Sequence, residues 1–492
     1  MPRVNRGTVA TLEQALLSWI SALTSIRTEV FWALGATLSG LVSIHVLLRK
    51  REVGAAIGWI GLVWLAPLFG SSLYALFGVN RVTRRAQKLR IKPSQASPQR
   101  EENEAPAPVL PERFQPLDQA VRRITALPLQ AGNRIAPLRN GDAVYPAMLE
   151  AIGKARHSIA LSSYIFRKDE IGCAFLDALE AAHLRGVAVR VLVDGIGSGY
   201  FFASVYGGLR RRGVPVGRFM HSVLPWRMPF LNLRTHKKLL IIDGTLAFTG
   251  GINIADENRV ATHPSEPVRD VHFRIEGPVV TQLTAAFASD WAFVMDQELE
   301  GPAWFPPLAP RGETQARTVS SGPDADLRKI ELVVLEAITC ARTSIRLMTP
   351  YFLPSEVLVS ALSLAALRGL TVDVIIPMES DHAVVDWATR AHVDPLLRSD
   401  VRIWLDDPPF DHAKLLVIDD AWCFIGSANW DTRSFRLNFE LNVEVYDSGL
   451  ARHLDAFMEE KMSVRLTHEY LSQRGLPLRL RDAGVRLLLP YL

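Results

Sequence analysis

Cysteine is scarce in this sequence. Cys173, Cys340 and Cys423 lie far apart, with no CxxC pair and no histidine at zinc-ligand spacing. That excludes a disulfide scaffold and gives no support for a metal site; the three read as buried thiols, the usual setting of free cysteine. A strong excess of one charge is missing as well. The net charge of +4 is too balanced to mark a nucleic-acid-binding surface by itself. At 492 residues the chain exceeds one ordinary domain and points to two or three units.

Apolar residues are plentiful and unevenly placed. They make up 48% of the chain, and the excess is concentrated before residue 80. Residues 30–48 carry no formal charge apart from His45. After Arg49-Lys50-Arg51-Glu52 a second uncharged run covers 53–78. Each run is long enough to cross a hydrocarbon core of about 30 Å as a helix, and Gly54, Gly58, Gly61 and Pro67 are residue types that membrane helices tolerate. The expectation is a transmembrane helical hairpin with both chain ends on one side. Arg81, Arg84, Arg85, Lys88, Arg90 and Lys92 after it, with Arg3, Arg6 and Arg27 before it, place that side in the cytoplasm; the basic turn at 49–51 pulls the other way. The same cluster suits anionic headgroups. Residues 93–116 are rich in Pro, Glu, Gln and Ala and read as a flexible tether.

The remainder repeats itself. Ala155-Arg156-His157-Ser158-Ile159 returns as Ala341-Arg342-Thr343-Ser344-Ile345. A helical pattern ending at Leu184-Arg185-Gly186 returns as one ending at Leu367-Arg368-Gly369, each followed by a β-branched run. This βα alternation predicts sheets flanked by helices. Each copy carries one further constellation: His236-Lys237-Lys238 with Asp243 and Gly250-Gly251-Ile252-Asn253, then His412-Ala413-Lys414 with Asp419 and Gly426-Ser427-Ala428-Asn429. His and Lys two apart on a strand project from one face, about 7 Å along it. The apolar run after each pair is that of a strand buried on both sides. Two such strands facing each other surround one phosphate with two imidazoles and two ammonium groups, which suits a phosphodiester gaining charge in its transition state. No metal or other cofactor is required.

In these motifs the sequence resembles the phospholipase D superfamily, whose HxKx4D signature occurs twice per site. It is similar in particular to bacterial cardiolipin synthases, through Ser163-Tyr164-Ile165-Phe166, Asp194-Gly195-Ile196-Gly197-Ser198, residues 250–257 and Pro350-Tyr351-Phe352-Leu353-Pro354. The similarity runs from the membrane spans to about Leu466. Two departures stand out: Thr235 precedes His236 where many cardiolipin synthases carry Asn, and residues 390–394 lack the aromatics often found there. The resemblance implies an α/β fold of two duplicated phospholipase D-like units around a shared site, preceded by the hairpin. It implies a phosphatidyl group passed through a phosphatidyl-histidine between two phosphatidylglycerols, with His236 as nucleophile and His412 as general acid and base; the motifs alone leave that order open. Lys238 and Lys414 would hold the phosphate. Asp243 and Asp419 belong to the family signature, and the resemblance counts them among the catalytic residues. Yet their offset of seven residues and the following Gly244 or Asp420 mark a hairpin turn rather than the reacting centre.

Superposing the copies aligns Asp270 with Glu440, and these acids are expected to orient the imidazoles. Asn253 and Asn429, near glycines that let backbone approach, are expected phosphate donors. The expected partners are phosphatidylglycerol and the cytoplasmic membrane, crossed more than once, and no nucleic acid. A hydrolytic phospholipase D would use the same residues with water. A nuclease would need a basic groove, and a scaffold would be expected to have lost a His or Lys. Apolar residues mixed with arginine after Gly199 (Tyr200, Phe201, Phe202, Tyr206) and in the tail (Leu476 to Leu489) fit either a headgroup layer or core packing. The organisation expected is 1–28 N-terminal segment, 29–79 two membrane helices, 80–116 basic stretch and linker, 117–300 first repeat, 301–317 linker, 318–466 second repeat and 467–492 amphipathic tail.

Overall fold

The computed structural model describes residues 29–50, 53–78, 110–199, 204–219, 234–322 and 328–487. The basic cluster at 81–92, most of the tether, the aromatics at 200–202 and the tail leucines Leu488 and Leu489 lie outside the described residues. The chain divides into two compact units, 1–84 and 85–492.

In the first unit, Glu29–Arg49 is the one helix among the described residues long and apolar enough to cross a membrane. The second apolar run is not a single helix. It forms Val53–Leu65 and Pro67–Leu73, interrupted at the non-helical Ala66 (φ −139°, ψ 77°), and ends in a π-helical turn, Tyr74–Gly78. Pro67 explains the break, because it lacks an N–H and is best placed in the first turn of a new helix. The two runs touch through polar groups. Trp64 Nε1 donates to Ser43 Oγ at 3.2 Å, Ser39 Oγ donates to the Val63 carbonyl, and His45 Nδ1 lies 2.7 Å from the Tyr74 hydroxyl.

Among the described residues, the second unit is built on one mixed sheet of 15 strands. Its first half supplies β1 (Gln130–Arg139), β2 (Ser158–Ser163), β3 (Ala188–Asp194), β4 (Val216–Phe219), β5 (Leu239–Ile242), β6 (Leu246–Gly250) and β7 (Val271–Glu276). Its second half supplies β8 (Thr314–Ser321), β9 (Ser344–Met348), β10 (Thr371–Pro377), β11 (Arg402–Asp406), β12 (Leu415–Ile418), β13 (Trp422–Gly426), β14 (Glu440–Tyr446) and β15 (Val464–Leu466). The halves join where β1 runs antiparallel to β8. Outward from that seam the order is β1-β7-β6-β5-β2-β3-β4 on one side and β8-β14-β13-β12-β9-β10-β11-β15 on the other. Each second-half strand up to β14 therefore occupies the place of the strand seven before it.

The motif strands β5 and β12 lie deep in this sheet and are buried throughout. Alternate residues serve opposite faces, as the pleat demands. Leu239 and Ile241 of β5 join Leu415 and Val417 of β12 in one cluster that spans both halves, beneath the helices Val279–Met295 and Ser448–Glu459. Leu240 and Ile242 face a cluster closed by Asn140–Lys154 and Glu170–Leu184; Leu416 and Ile418 face one closed by Lys329–Cys340 and Glu356–Leu367. A continuously apolar strand is thus required on both sides of the sheet.

The sequence divides residues 110–125 between the linker and the first repeat. In the fold, Phe114, Leu117 and Val121 instead pack in the second half's cluster. Buried Arg317 anchors this segment, ion-paired with Glu444 and, at 3.0 Å, with Asp118. The tail forms the helices His468–Ser472 and Leu476–Arg486. The latter lies against Ala383–His392 with Arg481 over Trp387, and Leu476 and Leu480 face outward. Cys423 is buried, while Cys173 and Cys340 are only half-buried.

Candidate active site

His236 and His412 sit just before β5 and β12, and the backbone of each is pinned to the opposite half. Thr235 pairs with Phe439, and His236 N donates to the Phe439 carbonyl at 2.9 Å; Arg269 pairs with Asp411, and His412 N donates to the Arg269 carbonyl at 2.8 Å. The next residue along each partner segment is an acid. Glu440 Oε2 lies 3.0 Å from His236 Nδ1, and Asp270 Oδ2 lies 2.9 Å from His412 Nδ1. Each imidazole is therefore held by an acid from the other half. Where that acid is ionised, as Glu440 is, an Nδ1–H donated to it leaves Nε2 with the free lone pair. The two rings stand edge to face, 79° apart in plane, with centroids 6.4 Å apart.

Lys238 Nζ donates to the His236 carbonyl at 2.8 Å, and Lys414 Nζ bonds the His412 carbonyl. All four cation-capable groups are buried. Burial, then the neighbouring ammonium of Lys414, pushes Lys238 down to about 7; burial pushes Lys414 to about 8. Burial also lowers His236 to about 4, against Glu440, which raises it, and takes His412 well below its ordinary value. The two acids differ. Burial raises Asp270 to about 8. For Glu440 the same burial is outweighed by His236, Lys238 and Ser427, and its carboxyl is held below its ordinary value.

The glycine-rich segments add to this difference. A Cβ on Gly251 would meet Asp270 Oδ1 at 2.3 Å, so the short acid demands glycine there. At the matching place Ser427 Oγ donates to Glu440 Oε2 at 2.6 Å, while Asn438 Nδ2 donates to Glu440 Oε1 at 3.1 Å. Asn253 Oδ1 accepts from Ile165 N at 3.3 Å, and Asn429 Oδ1 is buried without a partner among the described residues.

The signature aspartates are not in this cluster, which corrects their place among the catalytic residues. Asp243 and Asp419 occupy left-handed turns (φ 51° and 52°) after β5 and β12, roughly 20 Å along the chain from the histidines. Asp243 accepts from the backbone N–H groups of Arg156, His157 and Ser158 at 2.6–3.1 Å. Asp419 does the same for Arg342, Thr343 and Ser344 at 2.8–3.2 Å. Each carboxylate fastens the loop before β2 or β9. Asp243→Ala is expected to lower stability by about 2–4 kcal/mol, as three amide donors lose a charged acceptor. The rate per folded molecule stays unchanged; thermal melting and initial rates on one preparation check both.

Aromatic walls complete the site. Tyr164 stands edge-on to His236 with centroids 5.0 Å apart and lies under Lys238. Tyr351 and Phe410 flank His412 at 6.2 and 5.9 Å, and the Tyr351 hydroxyl donates to Asp381 at 2.6 Å. Tyr164 and Tyr351 stand in segments singled out only by resemblance, and Phe410 carries no motif. Nothing in the spacing marks any of them as a wall of the site.

Two facing His–Lys pairs on a mixed sheet define a phospholipase D-like site. A family model described as "Cardiolipin synthase, PLD-like domain" matches twice, over residues 148–291 and 334–462. The chain is 33% identical to the major cardiolipin synthase ClsA of Bacillus subtilis, covering 96% of this chain and 100% of that one. It is also 33% identical to a cardiolipin synthase of Listeria welshimeri over 92% of this chain and 96% of the relative. A phosphatidylserine synthase structure from Haemophilus influenzae shares the fold, with a TM-score of 0.58 and 14% identity over 76% of this chain and 100% of that one. The chain belongs to the cardiolipin synthase family and is an enzyme of the phosphatidyltransferase type.

Proposed function

We propose that this enzyme converts two phosphatidylglycerols into cardiolipin and glycerol through a covalent phosphatidyl-histidine. The observation that carries the reading is the 6.4 Å separation of two imidazoles, each fixed by the opposite half's acid. His236 Nε2 attacks phosphorus as the bond to the glycerol oxygen breaks, and His412 gives that oxygen its proton. The hydroxyl of the second lipid then returns a proton to His412 as its oxygen displaces the histidine. A buried site holding two lysines disfavours further positive charge, which keeps the free imidazoles neutral. The phosphodiester anion reverses that effect. It restores full charge to Lys238 and Lys414 and lets one imidazole hold a proton, so the acid is made when substrate arrives.

The mirrored strand order and the double family match support two duplicated units sharing this site. In this reading residues 29–79 anchor the enzyme in the cytoplasmic membrane with the large unit on the cytoplasmic side, and lipid rather than nucleic acid is the substrate. Labelled phosphatidylglycerol in vesicles tests the reaction. Cardiolipin with glycerol is expected; phosphatidic acid as the main product would make the enzyme a hydrolase, and no turnover alongside cleavage of DNA or RNA would reject a lipid substrate.

A further inference from the structure

The tail helix Leu476–Arg486 is oriented against its own composition. At 3.6 residues per turn, Leu476, Leu480, Ala483 and Leu487 fall within roughly 60° of one another, the pattern of an apolar stripe that ordinarily faces a core. Here the stripe faces outward. Leu476, Leu480 and Leu487 are 65%, 63% and 76% exposed, and Ala483 is exposed as well. The inward side is held by charge instead. Asp482 is buried and ion-paired with Arg474 and, at 2.8 Å, with Arg481, whose guanidinium lies 4.0 Å from the centre of the Trp387 ring in Ala383–His392. In water, leucines set this way forgo the burial that half a turn of the helix would give them. The orientation makes sense only with the stripe covered.

Its charges say what covers it. Asp482 is the one acid between Leu476 and Leu487, and it is turned inward, so the outer side carries cations alone. Arg479 is exposed along one flank of the stripe, and Arg486 follows it on the same flank, its Nη1 donating to the Ala391 carbonyl at 3.3 Å. Leucines edged by arginine match the headgroup layer of an anionic bilayer, where the apolar groups enter and the guanidiniums stay among the phosphates. A second copy of the chain fits less well. Three leucines and an alanine supply only part of the roughly 800 Å² that each partner buries in a stable dimer.

The helix beneath the stripe leads to the reacting centre. Ala383–His392 begins directly after His382, whose ring stacks on Tyr351 with centroids 5.8 Å apart and 25° between the planes, and Tyr351 flanks His412. The side chains of His382 and Asp381 are 64% and 48% exposed, so this wall of the site reaches the surface. One helix thus carries the active-site wall at its start and the outward leucines on its flank.

We propose that Leu476–Arg486 is a membrane contact of the catalytic unit, lying in the headgroup layer of an anionic bilayer with Leu476, Leu480 and Leu487 inserted, and that it brings the Tyr351 side of the site to the lipid. The proposal rests on the lipid-substrate reading above. Its surface is separate from residues 29–79, which that reading makes the anchor.

The test uses the full chain reconstituted in phosphatidylglycerol vesicles, with photoreactive benzoylphenylalanine in place of Leu480. Irradiation is expected to give a lipid adduct at that position. Cross-linking to a second copy of the chain, or no adduct, would overturn the proposal. A kinetic arm combines Leu476→Ser, Leu480→Ser and Leu487→Ser, exposed positions whose change should leave the melting temperature where it is. Cardiolipin formation from vesicles is expected to fall about tenfold or more, while nitrophenol release from a short-chain phosphatidyl ester dissolved as monomer changes less than about twofold. Equal losses on both substrates would place the helix in the scaffold, and undiminished cardiolipin formation would leave it no part at the bilayer; either result overturns the proposal. The adduct does not depend on turnover. Wild-type enzyme that forms no cardiolipin therefore removes the underlying reaction, and an absent adduct removes the contact.

Discussion

With a phosphatidyl ester of nitrophenol, the His412→Ala enzyme is expected to release one equivalent of nitrophenol and then stop, while His236→Ala releases none. The difference follows from what each imidazole is asked to do. Glycerol leaves as a strongly basic alkoxide unless it is protonated, so the natural substrate needs both histidines. Either alanine variant should lose about 10³–10⁴-fold or more in cardiolipin formation. Nitrophenol leaves without a proton, so the first step then needs only the nucleophile. The phosphatidyl-enzyme accumulates in His412→Ala because no base remains to activate the second alcohol. Quenched protein from that variant should carry an acid-labile lipid adduct on His236. A burst from His236→Ala instead would reverse the assigned roles. A burst from neither would remove the covalent intermediate.

The parts of this site that can be read from the sequence are those written into both copies. His236 and His412, their lysines and the buried strands after them recur at fixed spacing, and the twofold occurrence of a weak pattern gives it meaning. Asp270 and Glu440 share no local signature with each other. They emerge only because the copies can be laid side by side. That each acid serves the other half's histidine is a tertiary fact, set by Thr235 pairing with Phe439 and Arg269 with Asp411, and no local pattern encodes it. The same limit applies to residues 110–125. Their composition reads as the end of a tether, yet Phe114, Leu117 and Val121 fill a core most of whose members lie between Val319 and Leu471. Asp243 is the converse case. Turn chemistry locates it correctly against the family signature, since an offset of seven and a following glycine describe a hairpin. Pro67 is a residue type that a membrane helix tolerates, and here it instead begins a new helix.

The two orienting acids should not be equally sensitive to neutralisation. Glu440→Gln is expected to lower cardiolipin formation about 10²–10³-fold, and Asp270→Asn only about tenfold. Glu440 is held ionised, and it is the group that raises the proton affinity of His236 in a site otherwise hostile to positive charge. A phosphatidyl-imidazole that keeps its Nδ1–H is a cation, so removing the carboxylate charge destabilises the intermediate and the transition state before it. The substitution is also sterically clean. The glutamine oxygen can take the place of Oε2, accepting from His236 and Ser427, while its NH₂ faces Asn438. Asn438 Oδ1 is buried without a partner among the described residues, so a flip of that amide offers an acceptor to the new NH₂ and restores the bond. The fold should therefore melt near the wild-type temperature, and the loss should appear in kcat. Asp270 differs because burial raises its carboxyl to about 8. Below that pH it is largely protonated in the free enzyme, a state that asparagine imitates. Raising the pH through 8 ionises Asp270 in the wild type, whereas the amide of the D270N variant has no proton to lose there. The gap between D270N and wild type should therefore widen with pH. Equal losses in the two variants at neutral pH would mean that both acids work in the same charge state, and the division of labour between the two halves would fall with them.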